Sequence, residues 1–198
     1  MRGRFTDRGL ARLRGLDGLF GLDLDAAYLR TTLLRTPTSR FPRPFDHARA
    51  PRYRGELRNV DDTGVAALPD FPALTELMPM DIPDAGYRHI GHCAELVSLV
   101  LMYCRDTTDA ATEQITGLSR LTNYFASYTQ ITDRTPEILS RMDSLERVTF
   151  DGCAGLTNDG IAALARLPRL RELRISGQRI TSGVADAFPG TVTVHYSL

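Results

Sequence analysis

Apolar residues in this chain change their spacing partway through a unit of about two dozen residues, and the change recurs along the chain. In LTNDGIAALARLPRLRELRI, which begins at Leu156, the residues Ile161, Leu164 and Leu167 stand three apart and suit one face of a short helix. Leu170, Leu173 and Ile175 then follow LxxLxL, which suits a strand with alternate residues inward. ITDRTPEILSRMDSLERVTF from Ile131, TTDAATEQITGLSRLTNYFA from Thr107, IPDAGYRHIGHCAELVSLVL from Ile82 and VDDTGVAALPDFPALTELMP from Val60 keep the frame, and ITSGVADAF begins another copy at Ile180. The starts fall 22, 25, 24, 25 and 24 residues apart. FTDRGLARLRGLDGLFGLDL, from Phe5, is a seventh copy, 55 residues ahead of the next.

Each unit therefore predicts a helix followed by a strand. Neither buries its apolar side alone, because a two-turn helix is marginal in water and a single strand has no ladder. Stacking solves both problems: strands pair in parallel on one side, helices line the other, and the leucines form one continuous core between them. The predicted fold class is α/β, a repeat solenoid forming a single domain over residues 1–198.

Cys93, Leu96, Leu99, Leu101 and Cys104, followed by Thr107, Thr108 and Asp109, give C-x2-L-x2-L-x-L-x2-C-x2-T-T-D, and Met142, Leu145, Val148, Phe150 and Cys153 repeat the frame one register later. This closely resembles the cysteine-containing leucine-rich repeat, the subtype of F-box substrate receptors and their relatives. The resemblance covers residues 60–198 well and 5–27 acceptably, and leaves 28–59 unmatched. It implies a ribonuclease-inhibitor-like horseshoe with a parallel concave sheet and convex helices, whose concave face binds another protein. No apolar helical segment ahead of the repeats resembles an F-box, so the ligase-adaptor role of those relatives is not implied.

The register lists the residues that point away from the core. The middle column runs Asp23, Met78, Val100, Phe125, Thr149 and Arg174, with Met80, Met102, Asp151 and Ser176 in the column after it and Glu76, Ser98, Asn123, Arg147 and Glu172 in the column before. Met78, Val100 and Phe125 should form an apolar ridge, with Met80 and Met102 beside it and Tyr103 and Tyr128 just past the strands. Exposed apolar patches of this kind mark interaction sites, and methionine suits a surface that adapts to its partner. Arg147 and Arg174 follow as orienting charges at a polar rim. The same patch could instead be covered by residues 28–59 or by a second copy of the chain.

Formal charge sums to zero, but the basic residues are unevenly placed. Residues 1–58 hold 13 Arg against 6 acids, and the remainder holds 11 Arg against 18. Residues 28–59 carry eight Arg and four Pro with Phe41, Phe45 and Tyr53 interleaved. This stretch reads as a degenerate repeat with a loop, as a segment docked on the acidic remainder, or as an arm for an anion or nucleic acid. The opening repeat, with only four residues before Phe5, requires either that this segment folds back as a cap or that a second copy of the chain pairs with it, giving a homo-oligomer.

All 24 basic residues are Arg, which excludes a GxxxxGK[ST] phosphate loop, Schiff-base chemistry and Ser-Lys hydrolysis. No GxSxG or HExxH motif occurs, and His47 and His195 have no spaced acid or hydroxyl. His89, His92 and Cys93 form HxxHC, but the repeat register turns both histidines outward and Cys93 inward, so no metal site is expected. Asp7, Asp62, Asp84, Asp109 and Asp133 recur before the helices, where a side-chain oxygen caps free backbone N–H groups. No catalytic set and no cofactor are therefore expected. Three cysteines without dense spacing, no signal-type apolar stretch after the N-terminal charges and no membrane-length apolar run point to a cytoplasmic setting.

Overall fold

The computed structural model describes residues 65–66, 68–79, 82–102 and 104–197, and the backbone course of residues 21–25 and 28–31. The predicted copy from Phe5, the proposed capping acids Asp7 and Asp62, and residues 32–59 lie outside the described residues, apart from the strands named next.

Eight strands form one sheet: β1 (Gly21–Asp25), β2 (Tyr28–Thr31), β3 (Glu76–Pro79), β4 (Ser98–Met102), β5 (Asn123–Ser127), β6 (Arg147–Asp151), β7 (Glu172–Ser176) and β8 (Thr193–Ser197). Their spatial order is β2-β1-β3-β4-β5-β6-β7-β8. From β1 and β3 onward every neighbouring pair is parallel, as the stacked repeats require. Short helices intervene: α1 (Tyr87–Ile90), α2 (Asp109–Gln114), α3 (Arg134–Leu139) and α4 (Asn158–Ala162), with 3-10 turns completing several repeats. This is an α/β leucine-rich-repeat solenoid.

The strand β2 departs from the expected irregular segment beginning at residue 28. It runs antiparallel to β1, with Leu24 opposite Leu29, so the outer edge of β1 is occupied by the returning chain. A tight return needs no crossover helix, which is why helix-strand periodicity did not reveal it.

Between sheet and helices the leucine columns close into one core. Leu74, Leu96, Leu121 and Leu145 are at most 1% exposed, as are Leu99, Tyr124, Val148 and Leu173 on the inward side of successive strands. Each fully buried aliphatic side chain of this size contributes about 1.5–3 kcal/mol relative to leaving it in water. Where the core admits polar atoms, they are paired. The Tyr87 hydroxyl meets Thr107 Oγ1 at 3.1 Å, and Thr112 Oγ1 lies 3.3 Å from the Tyr124 hydroxyl and 3.1 Å from Thr135 Oγ1.

The recurrent acids do not cap their own helices. They bind the following repeat instead. Asp84 Oδ1 accepts the Thr108 N–H at 2.9 Å, and Oδ2 accepts its hydroxyl at 2.5 Å. Asp109 takes the N–H and hydroxyl of Thr132 at 2.9 and 2.7 Å, and Asp133 takes those of Thr157 at 2.7 Å each. Asn158 holds Thr181 in the last rung, accepting its N–H at 2.9 Å and donating to its hydroxyl at 2.7 Å. The threonines then serve as the helix caps: Thr108 Oγ1 accepts from Ala110 N, and Thr157 Oγ1 from Gly160 N. Each Thr-Asp or Thr-Asn pair thus faces both ways, the threonine closing its own helix and the acid or amide reaching forward.

Asp109 carries the most in this ladder, because its Oδ1 also accepts the Thr135 hydroxyl at 2.7 Å and so joins the buried Tyr124-Thr112-Thr135 network. Asp109→Ala should lower unfolding free energy by about 1–3 kcal/mol in urea denaturation. Asp109→Asn, which keeps an acceptor and copies the natural Asn158 rung, should cost clearly less; equal losses would remove the ladder's acceptor role.

Candidate functional site

The strand register assembles the outward columns across the helix-free face. Asp23 pairs with Met78, Val100 with Phe125, Phe125 with Thr149, Thr149 with Arg174 and Arg174 with His195. The column before it runs Glu76, Ser98, Asn123, Arg147, Glu172 and Thr193. Side chains between these columns, such as Leu99, Leu101, Tyr124 and Phe150, belong to the core cluster, whereas Val100 does not.

Exposure along this face is graded. Met78, Met102 and Phe125 are half-buried, and Arg147 and Arg174 are exposed. Val100 departs from the expectation of a surface anchor: it occupies the predicted column but is only 6% exposed. It stands next to Phe125 on the neighbouring strand, in the same column. Ser98, Asn123 and Ser127 are also buried on this face, and Asn123 Nδ2 donates to Ser98 Oγ at 2.8 Å. Met78, Met102 and Phe125 are therefore the partly open apolar residues of the described ridge. Met80 and Tyr103 lie outside the described residues.

Tyr128 is 40% exposed and has the left-handed backbone conformation, with φ at 52°. Its N–H donates to the Asp151 carbonyl at 2.9 Å. The ring lies over Gly152, itself at φ 62°; a Cβ on that glycine would approach Tyr128 Cε1 to 2.7 Å. Next to it, Ser176 Oγ donates to Asp151 Oδ1 at 2.5 Å. Sequence reading located Tyr128 past the strand end but missed its seat, for which the only signal is Gly152 directly after β6.

At the other ends of the strands the charges are distributed unevenly. Arg174 Nε and Nη2 both lie 2.6 Å from Glu172 Oε1, and His195 Nε2 is 3.5 Å from the same oxygen. Arg147 and Arg171 are exposed, and their guanidinium groups make no hydrogen bond or ion pair among the described residues. Together with Glu146, Glu172, Thr193 and His195 they line an open notch of about 350 Å³. Arg171 was missed because it precedes the strand instead of occupying an outward strand position.

All three cysteines are free and buried. Cys104 Sγ donates to the Pro79 carbonyl at 2.9 Å, and Cys153 Sγ lies 3.6 Å from the Ala126 carbonyl, so each reaches back one repeat. Cys93 points inward while His92 is exposed, and the Cys93 thiol contacts the His89 carbonyl at 3.7 Å. Among the described residues no group of three His, Cys, Asp or Glu is placed to hold a metal ion, and no helix is long and apolar enough to cross a membrane.

Burial pushes the Cys93 thiol up to about 12 from its ordinary 9.0. Burial likewise raises Cys153, and raises Tyr87 and Tyr124 above the ordinary phenol value. Groups raised in this way contribute stability that is complete below their ordinary pKa and is lost as pH climbs toward the folded value. For Cys93 that window runs from 9.0 to about 12. None of the three thiols should react with a disulfide reagent in the native protein at neutral pH, all three should react in urea, and the urea midpoint should fall as pH rises above the thiol range. Rapid native labelling would contradict the burial.

No protein-family model matches this chain, and no curated protein sequence matches it. Similar solved structures include two internalins from Listeria monocytogenes. One (inlF) has a TM-score of 0.49 and 15% identity over 66% of this chain and 43% of its own. The other (inlC2) has a TM-score of 0.41 and 17% identity over 67% of this chain and 65% of its own. This chain therefore spans less than two-thirds of the length of either neighbour.

Proposed function

We propose that this chain is a protein-binding module that engages its partner on the helix-free face of the sheet. Met78, Met102, Phe125 and Tyr128 are the described anchors, Met80 and Tyr103 extend the same columns in sequence, and Arg147 and Arg174 form the polar rim. Val100, in the same column, is only 6% exposed and offers little contact area. The observation that carries this reading is Phe125: a large aromatic, only half-buried, held in the outward column while the alternating residues Tyr124 and Ala126 are sealed in the core.

The module binds and does not catalyse in this reading. The carbonyl contacts of Cys104 and Cys153 support the cysteine-containing subtype of the repeat, and three free thiols suit a cytoplasmic, reducing compartment.

Affinity capture with the intact chain, followed by titration of the captured partner, tests the reading. Phe125→Ala should weaken binding by about 2 kcal/mol, roughly thirty-fold, with little change in the urea unfolding midpoint. Arg166→Ala, on the helix side, should leave affinity unchanged. Retained binding in Phe125→Ala would overturn the proposed face.

A further inference from the structure

The notch at the starts of β6, β7 and β8 has a chemical character different from the apolar ridge. Its frame is fixed by backbone hydrogen bonds: Arg171 N and Glu172 N donate to the Glu146 carbonyl at 2.8 and 3.1 Å, and Thr193 N donates to the Arg171 carbonyl at 2.8 Å. Two guanidinium groups, those of Arg147 and Arg171, therefore project from ordered strand ends. Three helix-side arginines are paired, Arg120 with Glu95, Arg134 with Glu113 and Arg141 with Glu137. Arg105, Arg166, Arg169 and Arg179 are exposed without a side-chain partner among the described residues, but only Arg147 and Arg171 share one notch. Within the notch the charge of Glu172 is already offset by Arg174. The cationic pair thus remains available to an incoming anion.

We infer that this notch binds the carboxylate of an acidic side chain on an extended peptide segment of the partner, a reading that rests on the proposed protein-binding role and specifies the partner's chemistry. A carboxylate matches the planar fork of an arginine, and such pairs are charge-assisted and often bidentate. The remaining wall decides between a peptide and a nucleic acid. The Glu146 carboxylate and the Thr193 hydroxyl can accept peptide N–H groups, which a peptide supplies beside its acidic side chain. A sugar-phosphate backbone brings a run of negative charges and few N–H donors, and would meet the carboxylate of Glu146 with nothing to offer it.

Register also fixes where that acid stands relative to an apolar residue. Phe125 is level with Thr149 on β6, and Arg147 is two residues back along the same strand. Adjacent strands lie about 4.8 Å apart and residues rise about 3.3 Å along a strand, so the notch centre is roughly 10 Å from Phe125. An extended peptide covers that distance in about three residues. The recognised segment therefore carries an apolar residue for Phe125 and an Asp or Glu about three positions away.

The notch can be tested separately from the ridge by NMR of the full chain, following arginine Nε–H and backbone amide signals. The probes are acetyl-(Gly-Glu)3-amide, the corresponding Gly-Lys peptide and a thymidine hexanucleotide. The glutamate peptide should shift the Arg147 and Arg171 Nε–H signals saturably, with weaker binding at high salt, and the lysine peptide should not. Arg147→Gln combined with Arg171→Gln should reduce affinity for the glutamate peptide at least tenfold while leaving the urea midpoint unchanged. Shifts spread evenly over all exposed arginines, binding that survives the double substitution, or tighter binding of the hexanucleotide at the same signals would overturn the inference. Because these probes carry no apolar anchor, Phe125→Ala should not alter the titration, so failure of the ridge and failure of the notch give different results.

Discussion

The solenoid depends on polar bonds that cross from one repeat to the next. Helices of four to six residues leave most of their terminal N–H groups without an intrahelical partner. Apolar stacking alone would bury the leucines but leave the turns between strand and helix undetermined. The ladder Asp84-Thr108, Asp109-Thr132, Asp133-Thr157 and Asn158-Thr181 determines them, because each bridge requires the next repeat to begin in fixed register. The close contact of Gly160 with Asp133 belongs to the same device: a Cβ there would meet the carboxylate at 2.0 Å, so the glycine leaves the acid room to reach Thr157.

Assigning core and ladder to one side of the sheet leaves the other side free to vary. The outward columns carry Met78 and Phe125 on early strands and Arg174 and His195 on later ones, although their inward neighbours are uniformly apolar. Exposure follows the same division. Around β4 and β5 the short polar residues Ser98, Asn123 and Ser127 are covered, whereas on β8 Thr193, His195 and Ser197 are open. The face therefore has one half in which the short residues are covered and Met78, Met102 and Phe125 are partly open, and another half that is open and charged, and the proposed anchors and rim occupy these two halves.

The repeat and the side to which each strand residue points were legible because both rest on periodicity, which is local. The partner of Asp109 was not legible: capping is ordinarily an affair of two or three residues, and here the acceptor serves a threonine 23 residues on. The same limit explains Arg174. Its place in the outward column was correct, but only coordinates reveal that Glu172, two residues before it, takes its guanidinium, whereas Arg147 and Arg171 beside it in the notch have no such partner among the described residues. Burial of Val100 was hidden for a related reason, since periodicity gives the direction of a side chain and says nothing about its exposure.

Tyr128 links the stability of the sheet to the surface it offers. A non-glycine residue in the left-handed region is disfavoured by about 1–2 kcal/mol, so its neighbours must hold it there. Its N–H is bound to the Asp151 carbonyl, Asp151 receives the Ser176 hydroxyl, and Gly152 donates to Ser176, so the ends of β5, β6 and β7 fix one another around the aromatic ring. The ring itself lies against Gly152, and a tyrosine, with two side-chain torsions, loses little conformational freedom on contact. The left-handed backbone at Tyr128 thus places the proposed anchor over Gly152, and the absence of a side chain there leaves room for the ring.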